Sequence, residues 1–159
     1  MKKLDFLHRL SQEKKLQIIE PSEDIKKAYL ERSRESLTSA KALLKIGTLK
    51  DAVALSYYAM YHSLLALLFR TGIKSENHIA SSMLLKRVFD LDNASISKAK
   101  KDRVDNQYYV DFEVTRKEVE NSIQTAEAFI SELSDFIEKL NEEKIAEYRS
   151  KAQHILKQK

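Results

Sequence analysis

The sequence has no cysteine and contains only two glycines and one proline in 159 residues. The absence of cysteine excludes disulfides, thiolate chemistry and zinc–thiolate sites, and it fits a reducing compartment. Tight turns between strands use glycine and proline for positive φ and chain reversal, so their scarcity argues for long helices. The abundance of Lys, Glu, Leu, Ala, Ile and Ser indicates the same fold class.

A strong charge of one sign is also lacking, since 28 basic residues face 24 acidic ones and the net charge is +4. This modest excess is compatible with a nucleic-acid or nucleotide partner without requiring one. The length predicts a single domain over residues 1–159, large enough to bury a core. The first ten residues lack the continuous apolar run of a signal peptide, so we expect a cytoplasmic protein.

One stretch, Val53–Phe69, carries no charged side chain although a third of the chain is charged. A helix of this length rises about 25 Å, less than the ~30 Å hydrocarbon core of a bilayer. The stretch also contains two serines, three tyrosines and His62, so it is predicted to be a core helix and not a membrane span.

Two stripes follow helical spacing along this predicted core helix. A helix that is apolar nearly all round must be covered nearly all round. Three or four helices of the same chain could cover it, but a two-fold partner would do so more easily, so we expect a homodimer. The large stripe is Leu55, Tyr58, His62, Leu65 and Phe69, and the small stripe is Ala52, Ser56, Ala59, Ser63 and Ala66.

Capping signals and apolar spacing predict the helices in the first two thirds of the chain. Residues 2–12 are predicted to form a short amphipathic helix with Leu4, Leu7 and Leu10 on one side. Further helices are predicted from the Ser22 N-cap to Gly47, from about Lys50 to Arg70 with a stop at Gly72, and from Asn77 to Phe89. Residues 90–114 are expected to contain a short helix followed by an irregular connection.

Thr115 and Glu118 form a predicted capping box that begins a long helix. Its apolar residues alternate in steps of four and three as an unbroken heptad seam: Val119, Ile123, Ala126, Ile130, Leu133, Ile137 and Leu140. The seam then slips by one position, so residues 141–159 are predicted to be a separate helix or a differently facing extension. The predicted fold is an all-α, up-down helical bundle of four to five helices with a long C-terminal helix, its core at 22–140.

Motifs for metal, cofactor or phosphate-loop chemistry are lacking. Two glycines cannot build a phosphate-binding loop, and the four histidines do not follow metal-ligand spacing. We therefore expect no metal and no cofactor. The polar run Ser97–Arg103 fits a phosphate-binding patch, but a solvated helix face is the more frequent origin of such a run.

Basic and aromatic residues are therefore the remaining candidates for a binding or catalytic site. Tyr57, Tyr58, Tyr61 and His62 are clustered, and Arg70 lies two turns beyond His62. Such rings stack on bases and arginine pairs with phosphate. A packed core with a hydrogen-bonded histidine is the alternative, and we favour it because aromatic residues at helical spacing are usually core.

Several segments in a fixed order resemble the HEPN domain (higher eukaryotes and prokaryotes nucleotide-binding), and together they cover about residues 22–140. The family pattern is an arginine, two variable residues, Ala-Asp-Tyr and a long last helix. The matching segments are Ala54-Leu-Ser-Tyr-Tyr-Ala-Met-Tyr-His-Ser-Leu-Leu-Ala-Leu-Leu, Gly72-Ile73, His78-Ile-Ala-Ser-Ser-Met-Leu-Leu, Arg103-Val-Asp-Asn-Gln-Tyr108, Val114-Thr-Arg-Lys-Glu-Val-Glu and Ala126-Glu-Ala-Phe-Ile.

The resemblance implies a helical homodimer, often encoded beside a minimal nucleotidyltransferase, with some such pairs acting as toxin and antitoxin. It also implies that many relatives are metal-independent ribonucleases with four to six residues between an arginine and a histidine. Here Asn106 and Gln107 replace Ala-Asp, and no histidine follows Arg103 within seven residues. The pair Arg149 and His154 has the required spacing but lies in the tail, and Arg70 and His78 are one residue too far apart.

The leading hypothesis is therefore a non-catalytic HEPN-type dimer. It would bind a nucleotide or an RNA phosphate through Arg103, Tyr108, Tyr58 and His62, and it would partner a nucleotidyltransferase. One alternative is a metal-independent endoribonuclease that uses Arg149 and His154, or Arg70 and His78. Another alternative is a purely structural interaction module.

Overall fold

The computed structural model describes residues 2–157, and the side chains of residues 5–157. Seven helices and one two-stranded sheet make up this part of the chain. In chain order they are α1 (Lys2–Gln12), β1 (Leu16–Ile18), α2 (Glu23–Ile46), α3 (Leu49–Arg70), β2 (Ile73–Ser75), α4 (His78–Phe89), α5 (Ala94–Tyr108), α6 (Arg116–Glu138) and α7 (Glu142–Lys157). The all-α bundle predicted from the sequence is confirmed.

The uncharged stretch forms most of α3, the central helix of the bundle. α3 packs against α2, α4, α5 and α6. It is long and apolar enough to cross a membrane by composition, but most of it is buried inside the protein, as in the core helix of a soluble protein. All five residues of the small stripe are buried, and they let a neighbouring backbone approach closely. Ser33 of α2 accordingly donates a 2.6 Å hydrogen bond to the Ala59 carbonyl.

Capping residues determine where several helices begin and end, and those at Ser22, Gly47 and Thr115 were predicted. Ser22 Oγ accepts from the Ile25 amide at 3.1 Å, Asn77 Oδ1 accepts from the Ala80 amide at 2.9 Å, and Thr115 Oγ1 accepts from the Glu118 amide at 3.1 Å. Gly47 ends α2 with a left-handed φ of +83°.

The region predicted to hold a short helix is instead occupied by α5, which spans 15 residues. Its exposed face is stabilised by ion pairs one turn apart, from Lys98 to Asp102 at 2.8 Å and from Lys101 to Asp105 at 3.3 Å. Lysines in the polar run 97–103 are thus paired within their own helix, as expected of a solvated face. The irregular connection begins only at residue 109.

The slip in the heptad seam marks a break between two helices. α6 ends at Glu138 with its seam residues buried or half-buried, and α7 begins at Glu142 as a separate helix. α7 turns Ile145, Ala152, Ile155 and Leu156 into the core and packs on α1, α4 and β1. In α1, Leu7 and Leu10 are buried as predicted, whereas the side chain of Leu4 lies outside the described residues.

A short antiparallel sheet joins the segment after α1 to the segment after α3, and it was not predicted. Leu16 pairs with Ser75 and Ile18 pairs with Ile73. Gly72 stands just before β2 with φ +80°, and a Cβ there would lie 2.5 Å from the Ile19 carbonyl oxygen and 2.6 Å from Arg149 Nε. The Arg149 guanidinium donates to that same carbonyl at 2.7 Å, so α7 holds the sheet in place.

Candidate functional site

Side chains from α3, α4 and α5 meet in one group that we call the aromatic–basic cluster: Tyr57, Tyr58, Tyr61, His78 and Arg103. Tyr57 and Tyr61 are one turn apart on α3 and their rings stack with centroids 6.0 Å apart. His78 is the first residue of α4, and Arg103 lies in the middle of α5. Three helices therefore bring together residues separated by up to 46 positions in the sequence.

Arg103 is half-buried, with its guanidinium carbon 5.4 Å from the Tyr57 ring centroid and 5.3 Å from that of Tyr58. Its Nη1 donates to the Tyr58 hydroxyl at 3.2 Å and to Gln107 Oε1 at 2.9 Å. Its Nε is buried and has no hydrogen-bond partner within the described residues. No carboxylate of residues 2–157 forms an ion pair with this cation, whereas neighbouring acids on α5 pair with lysines.

The His78 ring is held by contacts with both neighbouring tyrosines. It stacks on Tyr61 with centroids 3.8 Å apart, and its Nδ1 lies 2.6 Å from the Tyr57 hydroxyl. Burial raises the pKa of Tyr57, so the phenol keeps its proton. We assign the hydroxyl as donor to Nδ1, and this places the ring proton of neutral His78 on Nε2.

Burial and two nearby cations lower the pKa of His78 below its ordinary value near 6.5, the cations being Arg103 and Lys100. Near neutral pH the cluster therefore combines one permanent cation with a neutral imidazole. That combination suits an anionic ligand, since the guanidinium pairs with phosphate oxygens and the imidazole supplies a hydrogen bond.

A chain of three buried hydroxyl groups supports the cluster. The Tyr61 hydroxyl lies 3.5 Å from Ser81 Oγ, and burial raises the pKa of Tyr61. Ser81 Oγ in turn donates to Ser75 Oγ at 2.8 Å. Because Ser75 ends β2 and Ser81 is in the first turn of α4, this chain positions the start of α4, and hence His78, against α3.

His62 extends the cluster along α3. Its ring stacks between Tyr58 and Tyr29, with centroids 6.2 and 5.9 Å away. Burial and the Arg32 cation lower its pKa. Its Nδ1 is buried without a hydrogen-bond partner among the described residues, so the hydrogen-bonded core histidine favoured from the sequence does not describe this nitrogen.

The four residues predicted to bind a nucleotide do not all come together. Arg103 contacts Tyr58 directly, and Tyr58 stacks on His62. Tyr108 is the last residue of α5 and is 69% exposed. It forms the start of an exposed apolar segment with Tyr109 and Val110.

The two predicted Arg–His pairs are placed differently from what their spacing suggested. Arg149 is engaged with the Ile19 carbonyl, and His154 is exposed on α7. Arg70 donates from Nε to Glu23 at 2.8 Å, and His78 lies instead in the aromatic–basic cluster with Arg103. The grouping of His78 with Arg103 was not predicted, because it depends on how α4 packs back on α3 after the unpredicted strand β2. Gln107 was also missed, although its position one turn after Arg103 was a usable signal.

A cavity of about 390 Å³ lies between α3, α5 and α6, on the face of α5 next to the one that carries Arg103. Its lining includes Ser56, Asp102, Asn106 and Phe112 but none of the predicted site residues. No group of three or more metal-ligating side chains occurs within residues 2–157.

The structure is that of a small all-α protein with the aromatic–basic cluster next to its central helix. The family model for the HEPN domain matches residues 26–145, from the first turn of α2 to the first turn of α7. The chain therefore belongs to the HEPN domain family.

Two curated relatives are similar to parts of the chain. A protein of Methanocaldococcus jannaschii named "Putative toxin MJ0605" is 28% identical over 120 residues, which cover 71% of this chain and 89% of that protein. The UPF0332 protein PH1297 of Pyrococcus horikoshii is 38% identical over 56 residues, which cover 35% of this chain and 39% of that protein.

Proposed function

We propose that this HEPN protein binds a nucleotide or an RNA phosphate at the aromatic–basic cluster and does not cleave it. The supporting observation is the Arg103 guanidinium, which two tyrosine rings hold in place without an ion-pair partner among the described residues. A half-buried cation of this kind gains charge-assisted hydrogen bonds when a phosphate arrives.

Calorimetric titration with adenosine monophosphate tests this proposal, with adenosine as the uncharged control ligand. Removing the cation in Arg103→Ala should lower affinity for the monophosphate by ten- to a hundredfold, since hydrogen bonds to charged groups contribute about 1.5–3 kcal/mol. Arg34→Ala removes an exposed arginine of α2 and should leave affinity unchanged. Equal affinity of Arg103→Ala and wild type would refute the proposal.

A metal-independent ribonuclease is the second candidate, and the placement of His78 favours it in a new form. His78 and Arg103 share the cluster, and Nε2 of His78 carries no partner from the described residues, so an acid–base group lies beside a phosphate-binding group. Incubation of the purified protein with RNA in EDTA tests this activity. Cleavage that is lost in His78→Ala but kept in His154→Ala would replace the non-catalytic proposal.

We further propose that the protein acts in the cytoplasm as a homodimer within a toxin–antitoxin pair whose other member is a nucleotidyltransferase. The relative named as a toxin supports this context. Three consecutive exposed apolar residues support an interface after α5: Tyr108, Tyr109 and Val110, which are 61–91% exposed.

Sedimentation measures the proposed dimer directly. Tyr109→Glu should shift the protein toward monomer, whereas Glu113→Gln, in the same connection, should not. A monomer already in the wild type would contradict the homodimer. Co-expression with the nucleotidyltransferase from a neighbouring reading frame should yield one complex, and two separate species would contradict that partnership.

A further inference from the structure

A second feature of α3 continues away from Arg103. The rings of Tyr58, His62 and Phe69 follow one face of the helix, and Tyr29 of α2 fits between the last two. The centroid distances are 6.2 Å from Tyr58 to His62, 5.9 Å from His62 to Tyr29 and 5.4 Å from Tyr29 to Phe69. The planes of adjacent rings differ by only 15–29°. We call these four residues the ring row.

The ring row is open to solvent where most of α3 is not. Thirteen residues of α3 are buried, but Tyr58, His62 and Phe69 are only half-buried, and so is Tyr29. Centroid spacings above 5 Å between near-parallel rings mean that the rings are offset, so each leaves part of its face uncovered. The row is therefore a partly exposed strip of aromatic surface.

Positive charge accompanies the row along its length. The Arg103 cation lies over Tyr58 at one end, and the Arg32 cation acts on His62 in the middle. At the far end Arg70 follows Phe69, and it shares the single carboxylate of Glu23 with Lys26. Arg70 and Lys26 thus supply two cations at that end of the row.

We propose that the ring row extends the Arg103 site into a track for single-stranded nucleic acid, on which bases stack against successive rings while phosphates follow the flanking cations. Stacking on aromatic side chains and a basic groove are the two elements of such binding. Tyr58 and Phe69 are eleven residues apart, so the row is about 16 Å long at 1.5 Å per helical residue. At about 3.4 Å per stacked nucleotide, that length accommodates about four or five nucleotides.

This inference rests on the proposed function, because the same Arg103 begins the track. It adds that the ligand is a single strand and not a mononucleotide. Experiments can distinguish the proposed function from the track. Arg103 would contribute to the binding of any phosphate, whereas Phe69 and Tyr29 would contact only longer ligands.

The experiment is a calorimetric titration of oligoadenylates of one, two, four and eight nucleotides against the full chain. Affinity should rise at least tenfold from the monomer to the tetramer and then level off, because each stacked base contributes about 1–3 kcal/mol. Oligodeoxyadenylates of the same lengths show whether the track distinguishes RNA from DNA, and a self-complementary duplex of eight pairs should bind more weakly than the single strand.

Phe69→Leu is the test variant, since leucine keeps the apolar contact with the core and removes the ring. It should lower tetramer affinity three- to tenfold and leave mononucleotide affinity unchanged. Phe6→Leu, which removes a half-buried ring from α1, is the matched control and should change neither. Thermal melting of both variants verifies that they are folded.

Arg103-dependent binding of the monophosphate with no gain for longer strands would overturn the track and leave the proposed function standing. Absence of binding by every ligand would overturn both. If Phe69→Leu instead changes the sedimentation of the protein and not its affinity for the tetramer, a second copy of the chain covers the ring row, and the track is refuted.

Discussion

His78 controls how much positive charge the aromatic–basic cluster carries. Burial, Arg103 and Lys100 all hold its pKa below the ordinary value near 6.5. A bound phosphate would offset those cations and raise this pKa again, so binding and protonation favour each other. His78 thus takes up a proton when the ligand binds at mildly acidic pH.

Affinity for the dinucleoside monophosphate ApA, whose single phosphodiester stays ionised over the whole range, should therefore increase as the pH falls from 7.5 to 5.5. The sign follows from linkage, because a group whose pKa is higher in the complex than in the free protein strengthens binding as it becomes protonated. His78→Gln should flatten the profile measured by calorimetry, whereas His154→Gln on α7 should preserve it. A profile that rises equally in both variants would exclude His78 as the titrating group.

Gly47 and Gly72 both have positive φ but differ in what surrounds them. At Gly47 the nearest atom to an added Cβ is 3.8 Å away, while at Gly72 the Ile19 carbonyl and Arg149 lie within 2.6 Å. Left-handed backbone alone costs a non-glycine residue about 1–2 kcal/mol. At Gly72 an added Cβ would also overlap the Ile19 carbonyl oxygen and displace the Arg149 side chain.

Gly47→Ala should therefore lower the free energy of unfolding by about 1 kcal/mol, and Gly72→Ala by about 3 kcal/mol or more. Urea denaturation of both variants measures the difference. Equal losses would show that β1, β2 and α7 relax around the new methyl group. An added methyl group at Gly72 would also displace Arg149 from the Ile19 carbonyl, so amide exchange in β1 should increase in Gly72→Ala.

Individual site residues could be predicted only where local spacing or a motif carried the signal. Tyr58 and His62 are one helical turn apart, and Arg103 begins a family motif, so the sequence could select them as candidates, and their role in binding stays a prediction. The partnership of His78 with Arg103 depends on how α4 returns to α3, which no local pattern encodes. The Arg149–His154 spacing is local as well, but Arg149 is engaged with the Ile19 carbonyl instead.

The break in apolar periodicity after Leu140 separates two helices, α6 and α7, that pack against different neighbours. The heptad seam of α6 stays against α3, whereas α7 turns its own apolar face toward α1, α4 and β1. Phe89, Phe136 and Tyr148 connect three of these helices, with centroids 4.9–5.9 Å apart. α7 is thus part of the packed structure around the family core.

Leu156→Ala should destabilise this end of the protein. Leu156 is 5% exposed, and its carbonyl lies 2.9 Å from His8 Nδ1 in α1. A buried leucine truncated to alanine costs about 2–5 kcal/mol. Gln153→Ala, on the exposed face of α7, should change stability by less than about 0.5 kcal/mol.

Hydrogen exchange localises this effect. Amides of α1 and β1 should lose protection in Leu156→Ala before those of α2 and α3 do. Uniform loss throughout the chain would mean that α7 and the central helices open as one unit.

The order and type of the helices could be predicted because caps and apolar periods are local properties. Ser22, Asn77 and Thr115 each cap the helix that the sequence predicted. The strands are three residues long, too short for a periodic signal, and depend on pairing across more than fifty residues. The length of α5 was underestimated because the helix carries Lys–Asp pairs on a polar surface and lacks a continuous apolar stripe that a sequence pattern would detect.

For the molecule as a whole, the net charge of +4 understates how the charge is distributed. Acids on α5 are neutralised by lysines within the helix, whereas Arg103 has no such partner within residues 2–157. The cations that follow the ring row therefore determine the salt dependence of binding more than the average charge does.

Tetranucleotide affinity should fall with salt, with a slope of about −2 in a plot of log affinity against log salt. This value assumes three phosphate contacts, by Arg103, Arg32 and Arg70, at about −0.7 each for a single strand. Arg32→Ala should reduce the slope by about 0.7, and Arg34→Ala should not change it. A slope near zero would mean that stacking alone holds the strand.

The contact between Arg149 and Ile19 has a consequence for the order in which the chain folds. It joins residues 130 positions apart, and the His8–Leu156 contact spans 148. On the ribosome, α2 and α3 can pair as soon as both have emerged, and β1 can pair with β2 soon afterwards. The face of α1 that packs on α7 stays uncovered until α7 has also been synthesised, so the nascent protein passes through a stage that a chaperone can bind.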